Sequence, residues 1–349
     1  MNIDQKYMLR AIELGKNALG SAAPNPAVGC CIVHKDSIIG EGYTNPYGGP
    51  HAEVNAIQSV MDPSLLEKAT LYVTLEPCSH FGKTPPCSDL IIKKKIPRVV
   101  IGLKDPHHKV AGKGIARLKS AGVEITMGIE EKQCRDHHIR FLTFQEKKRP
   151  YIILKWAESA DGYIAPDLSK RNTNAQPYWI TNTYSRQLVH QWRSEEQSVL
   201  AGTQTVIHDN PRLDVRHWTG SNPVRIVLDR TLKIPKTSHV WDGSSKTIVL
   251  TEQKTGSLPK EVTIETINFD RDLPAKICEV LYRHQITSVI IEGGTKTLQS
   301  FIDGDLWDEA RIFTGTTVFG SGTKSPLLTG NPVFKTSIFE DTLTILSHD

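Results

Sequence analysis

The sequence predicts an α/β protein built as two successive domains. Three observations carry this expectation. Segments with helical periodicity alternate with short β-branched runs along most of the chain. The alternation is interrupted once, by the polar run QEKKRP that ends at Pro150. The length of 349 residues suits two domains of ordinary size. The expected domains are residues 1–146 and 150–349.

In the first domain, Tyr7, Met8, Ile12, Leu14 and Leu19 fit the apolar stripe of a first helix. VGCCIV and SIIGEGY read as adjacent strands around a turn at residues 34–36. Val54, Ala56, Ile57 and Val60 suit a helix ended by Pro63. ATLYVTL is a strand, and PPCSDLIIKKK opens a helix with prolines where they are tolerated. RVVIGL, GKGIARLKSAG and VEITMG continue as strand, helix and strand, up to about Phe144.

The alternation restarts after the break. YIILKWA, SVLAG, VRIVLD, TIVLT, SVIIEGG and EARIFTGTTVFG read as strands. SRQLVHQWRSE, PAKICEVLYRH and TKTLQSFID read as helices, so the second domain is expected to hold another open α/β sheet. No repeat links the two halves, and no segment is of low complexity.

Bulk properties narrow the function. Apolar residues make up 38% and charged residues 23%, which is ordinary for a soluble globular chain. The net charge of +4, with both signs well mixed, gives no support to nucleic-acid binding. No apolar stretch approaches the roughly 18 residues of a membrane span. The N-terminus, with Asp4 and Glu13 in an amphipathic pattern, lacks the layout of a secretion signal. The expectation is a cytoplasmic protein with no nucleic-acid or membrane partner. Its six cysteines are then core residues or metal ligands before they are disulfides.

His51 lies just before a helical pattern, Glu53 follows two residues later, and Pro77–Cys78 follows a strand. Cys87 opens the next helix. A catalytic zinc keeps three protein ligands and leaves the fourth position to water. One imidazole (His51) and two thiolates (Cys78 and Cys87) supply three. Bound zinc brings the pKa of water toward ~7. Glu53, off the metal, can then move protons between that water and a departing amine. H-x-E followed by a Pro-Cys and a second Cys is the pattern of zinc-dependent base deaminases. A structural zinc with His80 as fourth ligand is an open alternative. So is a nucleic-acid base deaminase with a fused accessory nucleotide-binding domain. Cys30, Cys31, Cys134 and Cys278 read as core or surface thiols.

In the second domain, IIEGGTKTLQSFID is a strand, a Gly pair and a helix start, an arrangement that favours anions. It lacks the full glycine fingerprint of a dinucleotide fold, so the residues alone imply only an anion-binding turn.

Eight residues separate Cys78 from Cys87, where nucleoside and base deaminases usually have two. TLEPCSHFGKTPPC, PNPAVGCCIV, PHAEVNAI and KDPHHKVAGKG together resemble the bifunctional diaminohydroxyphosphoribosylaminopyrimidine deaminase / 5-amino-6-(5-phosphoribosylamino)uracil reductase family of riboflavin biosynthesis. LKWAESADGYIA, AGTQTVIHDNPRLDVR and IIEGGTKTL resemble its reductase half, and the resemblance runs from about residue 1 to 345. It implies a cytidine-deaminase-like three-layer domain followed by a dihydrofolate-reductase-like domain. It also implies one zinc per chain, NADPH and a phosphoribosyl pyrimidine substrate, and it leaves homo-oligomerisation open.

By the same resemblance, Asn25 contacts the pyrimidine, while Lys83 and Asp105 hold the sugar-phosphate side. In the reductase half it places the cofactor against Glu158, Trp179, Thr205, Asp209, Gly294, Thr295, Lys296, Thr297, Leu298, Gln299 and Ser300. It places the substrate against Lys155, Arg193, Leu213, Arg216 and Glu292. The forked cations Arg193 and Arg216 suit a phosphate. Glu292, at the end of a buried strand, needs a partner, for which Lys155 or a sugar hydroxyl would serve. The chain departs from the family pattern at Thr44, where His is usual, at Pro177 and at Arg230. Glu158 stands where a small residue is typical, so a cofactor contact there is expected through its backbone.

Overall fold

Helix α1 (Ile3–Lys16) begins at a reciprocal cap: Gln5 N–H donates to Asn2 Oδ1 at 2.9 Å, and Asn2 N–H donates to Gln5 Oε1 at 2.8 Å. Tyr7, Met8, Ile12 and Leu14 are buried as the stripe predicts. Leu19 is not part of the helix. It lies in the turn beyond the cap at Asn17.

The computed structural model describes every residue except 80–84, 107–111, 168, 170–174, 255–257 and 349. The chain forms two units, Met1–Lys148 and Arg149–Asp349, each with its own core.

The first unit holds strands β1 (Gly29–His34), β2 (Ser37–Tyr43), β3 (Thr70–Leu75), β4 (Arg98–Leu103) and β5 (Glu124–Met127). They form one sheet in the order β2-β1-β3-β4-β5, with β1 antiparallel to both neighbours and β3, β4 and β5 parallel. Lys35 and Asp36 turn the β1–β2 hairpin with φ of 48° and 59°, the left-handed values that match strand twist.

Helices α2 (Ala52–Gln58), α3 (Cys87–Lys93), α4 (Lys113–Ser120), α5 (Glu131–His137) and α6 (Ile139–Lys147) complete the unit. The side-chain alternation of the sheet sorts them into layers. Gly29 faces α1 so closely that a Cβ there would lie 1.8 Å from the Ala11 carbonyl oxygen. Gly40 and Gly42, paired with Ile32 and Cys30, face α2 instead. Helix α5 packs on α1, and Gly102 abuts Cys134 of α5.

Two expectations fail locally. Helix α2 stops at Gln58 rather than running to Pro63, because Ser59 turns its hydroxyl back to the Ala56 carbonyl. Pro63 instead opens a short 3-10 helix, Pro63–Lys68, capped by Asp62. The QEKK run is the exposed last turn of α6, whose other face buries Phe141, Leu142 and Phe144. The helix ends at Lys148, with φ of 56°.

The second unit contains β6 (Tyr151–Glu158), β7 (Tyr163–Pro166), α7 (Thr183–Glu195), β8 (Ser198–Gly202), α8 (Thr203–Asp209), β9 (Val224–Leu228) and β10 (Thr247–Thr251). It continues with β11 (Val262–Thr266), α9 (Leu273–Arg283), β12 (Ser288–Ile291), α10 (Thr295–Asp303), β13 (Glu309–Thr314), β14 (Gly322–Lys324), β15 (Pro332–Ile338) and β16 (Asp341–Ser347). Nine strands form one sheet in the order β11-β10-β9-β8-β12-β6-β13-β16-β15. The strands from β11 to β13 run parallel, and the β15–β16 hairpin closes the edge antiparallel. The six strands read from sequence are all present, but the last stops at Thr314 and not at Gly320. Strand order reverses around β12 and β6, and their carboxyl ends bring Glu292 and Glu158 to the same end of the sheet.

Candidate active site

His51 is the residue before α2, in extended backbone, and Cys87 is the first residue of α3. Cys78 lies three residues beyond the end of β3. These junctions bring three ligand atoms together. His51 Nδ1 is 3.6 Å from Cys78 Sγ and 3.3 Å from Cys87 Sγ, and all three atoms lie within 4.8 Å of one another. A tetrahedral zinc with nitrogen at about 2.0 Å and sulfur at about 2.3 Å asks for N···S separations of about 3.6 Å. The donor set and its spacing therefore fit the ion. Among the described residues this is the one cluster of His, Cys, Asp and Glu with that spacing. His80, the alternative fourth ligand, lies outside the described residues.

The electrostatics suit a cation. Hydrogen bonds from Cys87 and His51 draw the Cys78 thiol down to about 4 against the opposing cost of burial. The Cys87 backbone N–H also donates to Cys78 Sγ at 3.3 Å. The hydrogen bond shared with Cys78 and burial push Cys87 up. The hydrogen bond to Cys78 raises His51.

Glu53 sits in the first turn of α2 and is buried. Burial and the neighbouring Cys78 push its carboxyl up to about 7. It touches the cluster without joining it.

Asn25 lies in the turn that follows the cis Ala23–Pro24 bond, its N–H donating to Ala22 O at 3.0 Å. Asp105 is buried just past β4. Lys83 lies outside the described residues. Thr44 is buried and spends its hydroxyl on Val28, accepting from the N–H at 3.1 Å and donating to the carbonyl at 3.4 Å. Sequence reading passed over Glu76, although a carboxylate ending an apolar strand was a signal that it needed partners. It has them in four backbone N–H groups.

In the second unit, Lys155, Arg193 and Glu292 converge. Arg193 grips Glu292 through Nε–Oε1 at 2.6 Å and Nη2–Oε2 at 2.7 Å, and donates through Nη1 to the Asp214 carbonyl at 3.0 Å. The expected partner of Glu292 is thus Arg193 more than Lys155, which acts through its charge. Burial lowers Lys155, with Glu292 opposing the shift. His190, absent from the sequence reading, joins the site from the same face of α7. Its Nδ1 meets the Asp214 carbonyl at 2.8 Å, and burial, with Arg193 and Arg216, pushes it down to about 4. Arg216 pairs with Asp214 at 2.6 Å and is more exposed than Arg193. Leu213 is buried in the core with φ of 51°, so this position offers its backbone.

The cofactor candidates divide in two. Thr205 and Gly294 lie side by side, since a Cβ on Gly294 would come within 3.2 Å of Thr205 Oγ1. Gly294 caps α10, and the N–H groups of Thr295 and Lys296 stand in its first turn, where no carbonyl within the helix reaches them. Thr297 N–H returns to the Gly294 carbonyl at 3.0 Å. Leu298 is fully buried in the core, and the Ser300 hydroxyl donates to the Thr297 carbonyl at 2.8 Å. Gln299 turns away to Asp303 at 2.8 Å. Glu158 accepts from Trp156 Nε1 at 2.9 Å through its side chain, and its carbonyl accepts from the Gly315 N–H at 2.9 Å. Trp179 is half exposed beneath the Arg186 guanidinium, 4.5 Å from its ring centroid, and Asp209 ends α8. Arg230 pairs on the surface with Glu252 at 2.8 Å.

Comparison with known proteins agrees with both halves. Residues 1–103 match the cytidine and deoxycytidylate deaminase zinc-binding region, and residues 150–345 match the RibD C-terminal domain. Riboflavin biosynthesis protein RibD of Aquifex aeolicus is 38% identical over 324 residues, covering 92% of this chain and 89% of that protein. The crystal structure of a diaminohydroxyphosphoribosylaminopyrimidine deaminase / 5-amino-6-(5-phosphoribosylamino)uracil reductase from Thermotoga maritima superposes with a TM-score of 0.89 at 36% identity. It spans 99% of this chain and 98% of that one. Acinetobacter baumannii RibD gives a TM-score of 0.89 at 33% identity, with coverage of 99% and 98%. With a His-Cys-Cys triad of zinc-type spacing in one unit and relatives matched along nearly the whole length, the chain belongs to the RibD family of riboflavin biosynthesis, enzymes that join a zinc-dependent deaminase to an NADPH-dependent reductase.

Proposed function

We propose that residues 1–146 hydrolytically deaminate 2,5-diamino-6-(5-phosphoribosylamino)pyrimidin-4-one, and that residues 150–349 reduce the ribose of the product to a ribityl chain with NADPH. The observation that carries the reading is the His51–Cys78–Cys87 triangle with the buried Glu53 beside it. His51, Cys78 and Cys87 would hold the zinc, which when bound would supply Lewis acidity and lower the pKa of water at the site. Glu53 takes a proton from the attacking water and delivers it to the departing amine. Asn25 orients the pyrimidine, while Lys83 and Asp105 hold the sugar-phosphate side.

In the reductase, hydride chemistry belongs to the cofactor and the protein supplies position. The first-turn N–H groups of α10 receive a phosphate of NADPH, with Thr205 and Asp209 of α8 and Trp179 as further cofactor contacts. Lys155 and Glu292 face the reacting ribose, Arg193 holds Glu292 in place, and the Leu213 backbone and Arg216 hold the substrate phosphate side. A cytoplasmic setting is supported by six cysteines none of which is paired in a disulfide.

The test is sequential turnover. Zinc-loaded protein is expected to release ammonia from the phosphoribosyl pyrimidine and then to oxidise NADPH on the product. Ammonia release without NADPH oxidation would remove the second assignment, and the reverse would remove the first.

A further inference from the structure

Glu76 is the buried residue that follows β3, two positions before Cys78. Its Oε2 accepts from the N–H of Asp105 at 3.3 Å and of Gly112 at 2.9 Å. Its Oε1 accepts from the N–H of Gly114 at 3.0 Å and of Ile115 at 3.2 Å. Four acceptor positions are the capacity of a carboxylate, so Glu76 is saturated by backbone.

The four donors belong to one segment. Asp105 lies just past β4, Gly112 is the N-cap of α4, and Gly114 and Ile115 lie in the first turn of that helix. The N-cap of α4 is Gly112, with φ of 85° and no side chain, so the helix receives its cap from another element. The same junction is tight on its far side. A Cβ on Gly114 would lie 2.0 Å from the Pro77 carbonyl oxygen. Glu76 N–H donates to the Leu103 carbonyl at 2.9 Å, which fastens it to the end of β4.

We propose that Glu76 is a positioning residue of the deaminase. Its carboxylate locks Asp105 and the start of α4 to the strand end that carries Cys78. Substrate contact and metal ligand are then held at one fixed separation, which is what an oriented reaction requires. The inference rests on the roles assigned above to Cys78 and Asp105. A glutamine cannot replace this carboxylate, because its amide nitrogen would face two N–H donors.

The test is a double-mutant cycle on the full-length, zinc-loaded protein, using deaminase kinetics of E76Q, D105N and the double variant. E76Q is expected to raise KM by about 10- to 100-fold, the size of a lost charge-assisted bond, with a smaller change in kcat. Zinc content and NADPH turnover stay at wild-type levels. D105N raises KM by a similar factor, and the double variant is no worse than the more affected single one. E76D, which keeps the charge on a shorter stem, recovers part of the loss, and it replaces E76Q in the cycle if E76Q does not fold. Factors that multiply in the double variant overturn the proposal. So does E76Q at wild-type KM, or E76Q that loses zinc and kcat together. D105N at wild-type KM removes the role of Asp105 and the coupling with it, an outcome distinct from an unaffected E76Q.

Discussion

Arg193 and Glu292 meet in a two-point ion pair, Nε to Oε1 at 2.6 Å and Nη2 to Oε2 at 2.7 Å, with side chains only 10% and 8% exposed. Burial alone would raise the Glu292 carboxyl. The Arg193 charge and its hydrogen bonds outweigh burial and hold the carboxyl down to about 2, against an ordinary 4.5. A pair so buried is costly to break by halves, because the partner left behind is a bare charge.

This pair gives the second unit a defined acid response. Its folded value lies below its unfolded one, so its contribution is complete above about pH 5 and fades as pH falls from there toward 2. All six tryptophans lie in this unit, so tryptophan fluorescence follows its unfolding alone. E292Q is expected to be about 3 kcal/mol less stable than wild type at pH 7, with the gap narrowing by roughly half at pH 3. Equal gaps at the two pH values would show that Arg193 does not hold the carboxylate.

Glu53 predicts a separation of metal binding from catalysis. It is buried next to the triad but is not a member of it. E53Q is expected to cut ammonia release by about 10²- to 10⁴-fold while zinc content and NADPH oxidation stay unchanged. Ammonia release at the wild-type rate would remove Glu53 from proton transfer.

Metal removal predicts the same separation from the other side. The His51–Cys78–Cys87 cluster belongs to the first unit, and the described part of the second unit holds no comparable group. Chelation at neutral pH is expected to abolish deamination and leave NADPH-dependent reduction at its untreated rate, with deamination restored by added zinc. Parallel loss of both activities would contradict this division.

The sequence made the metal site legible because its chemistry is local. His51 and Glu53 are two residues apart, and Cys78 and Cys87 mark the strand and helix ends that flank one loop. Most of the parallel strands were legible for a similar reason, as continuous apolar runs buried on both faces, whereas the half-buried β11 was not read. What sequence hid was long-range. Glu76 is bonded to residues 29 to 39 positions away, and Arg193 is bonded to Glu292 across 99 positions. The hairpin of β15 and β16 escaped because β15 is exposed along most of its length and carries no buried run. Helix α6 was hidden by its polar last turn, although its buried face was written in Phe141, Leu142 and Phe144.

Gly29 predicts where the first unit is least tolerant of added volume. It lies on β1 against α1, and a Cβ there would come within 1.8 Å of the Ala11 carbonyl oxygen and 2.5 Å of the Gly15 nitrogen. Both are backbone atoms, so no side chain can swing aside. The helix itself must move, and its far end is fixed by Asp4, which Arg98 holds through bonds of 3.0 and 2.8 Å. G29A is therefore expected to destabilise this unit by about 1–3 kcal/mol, the usual range for overpacking. Deamination should be lost on heating several degrees below the wild-type temperature. The tryptophan transition, which reports the other unit, should stay where it is. A deaminase as heat-stable as wild type would mean that α1 can lift from β1 at no cost, contrary to the packing seen here.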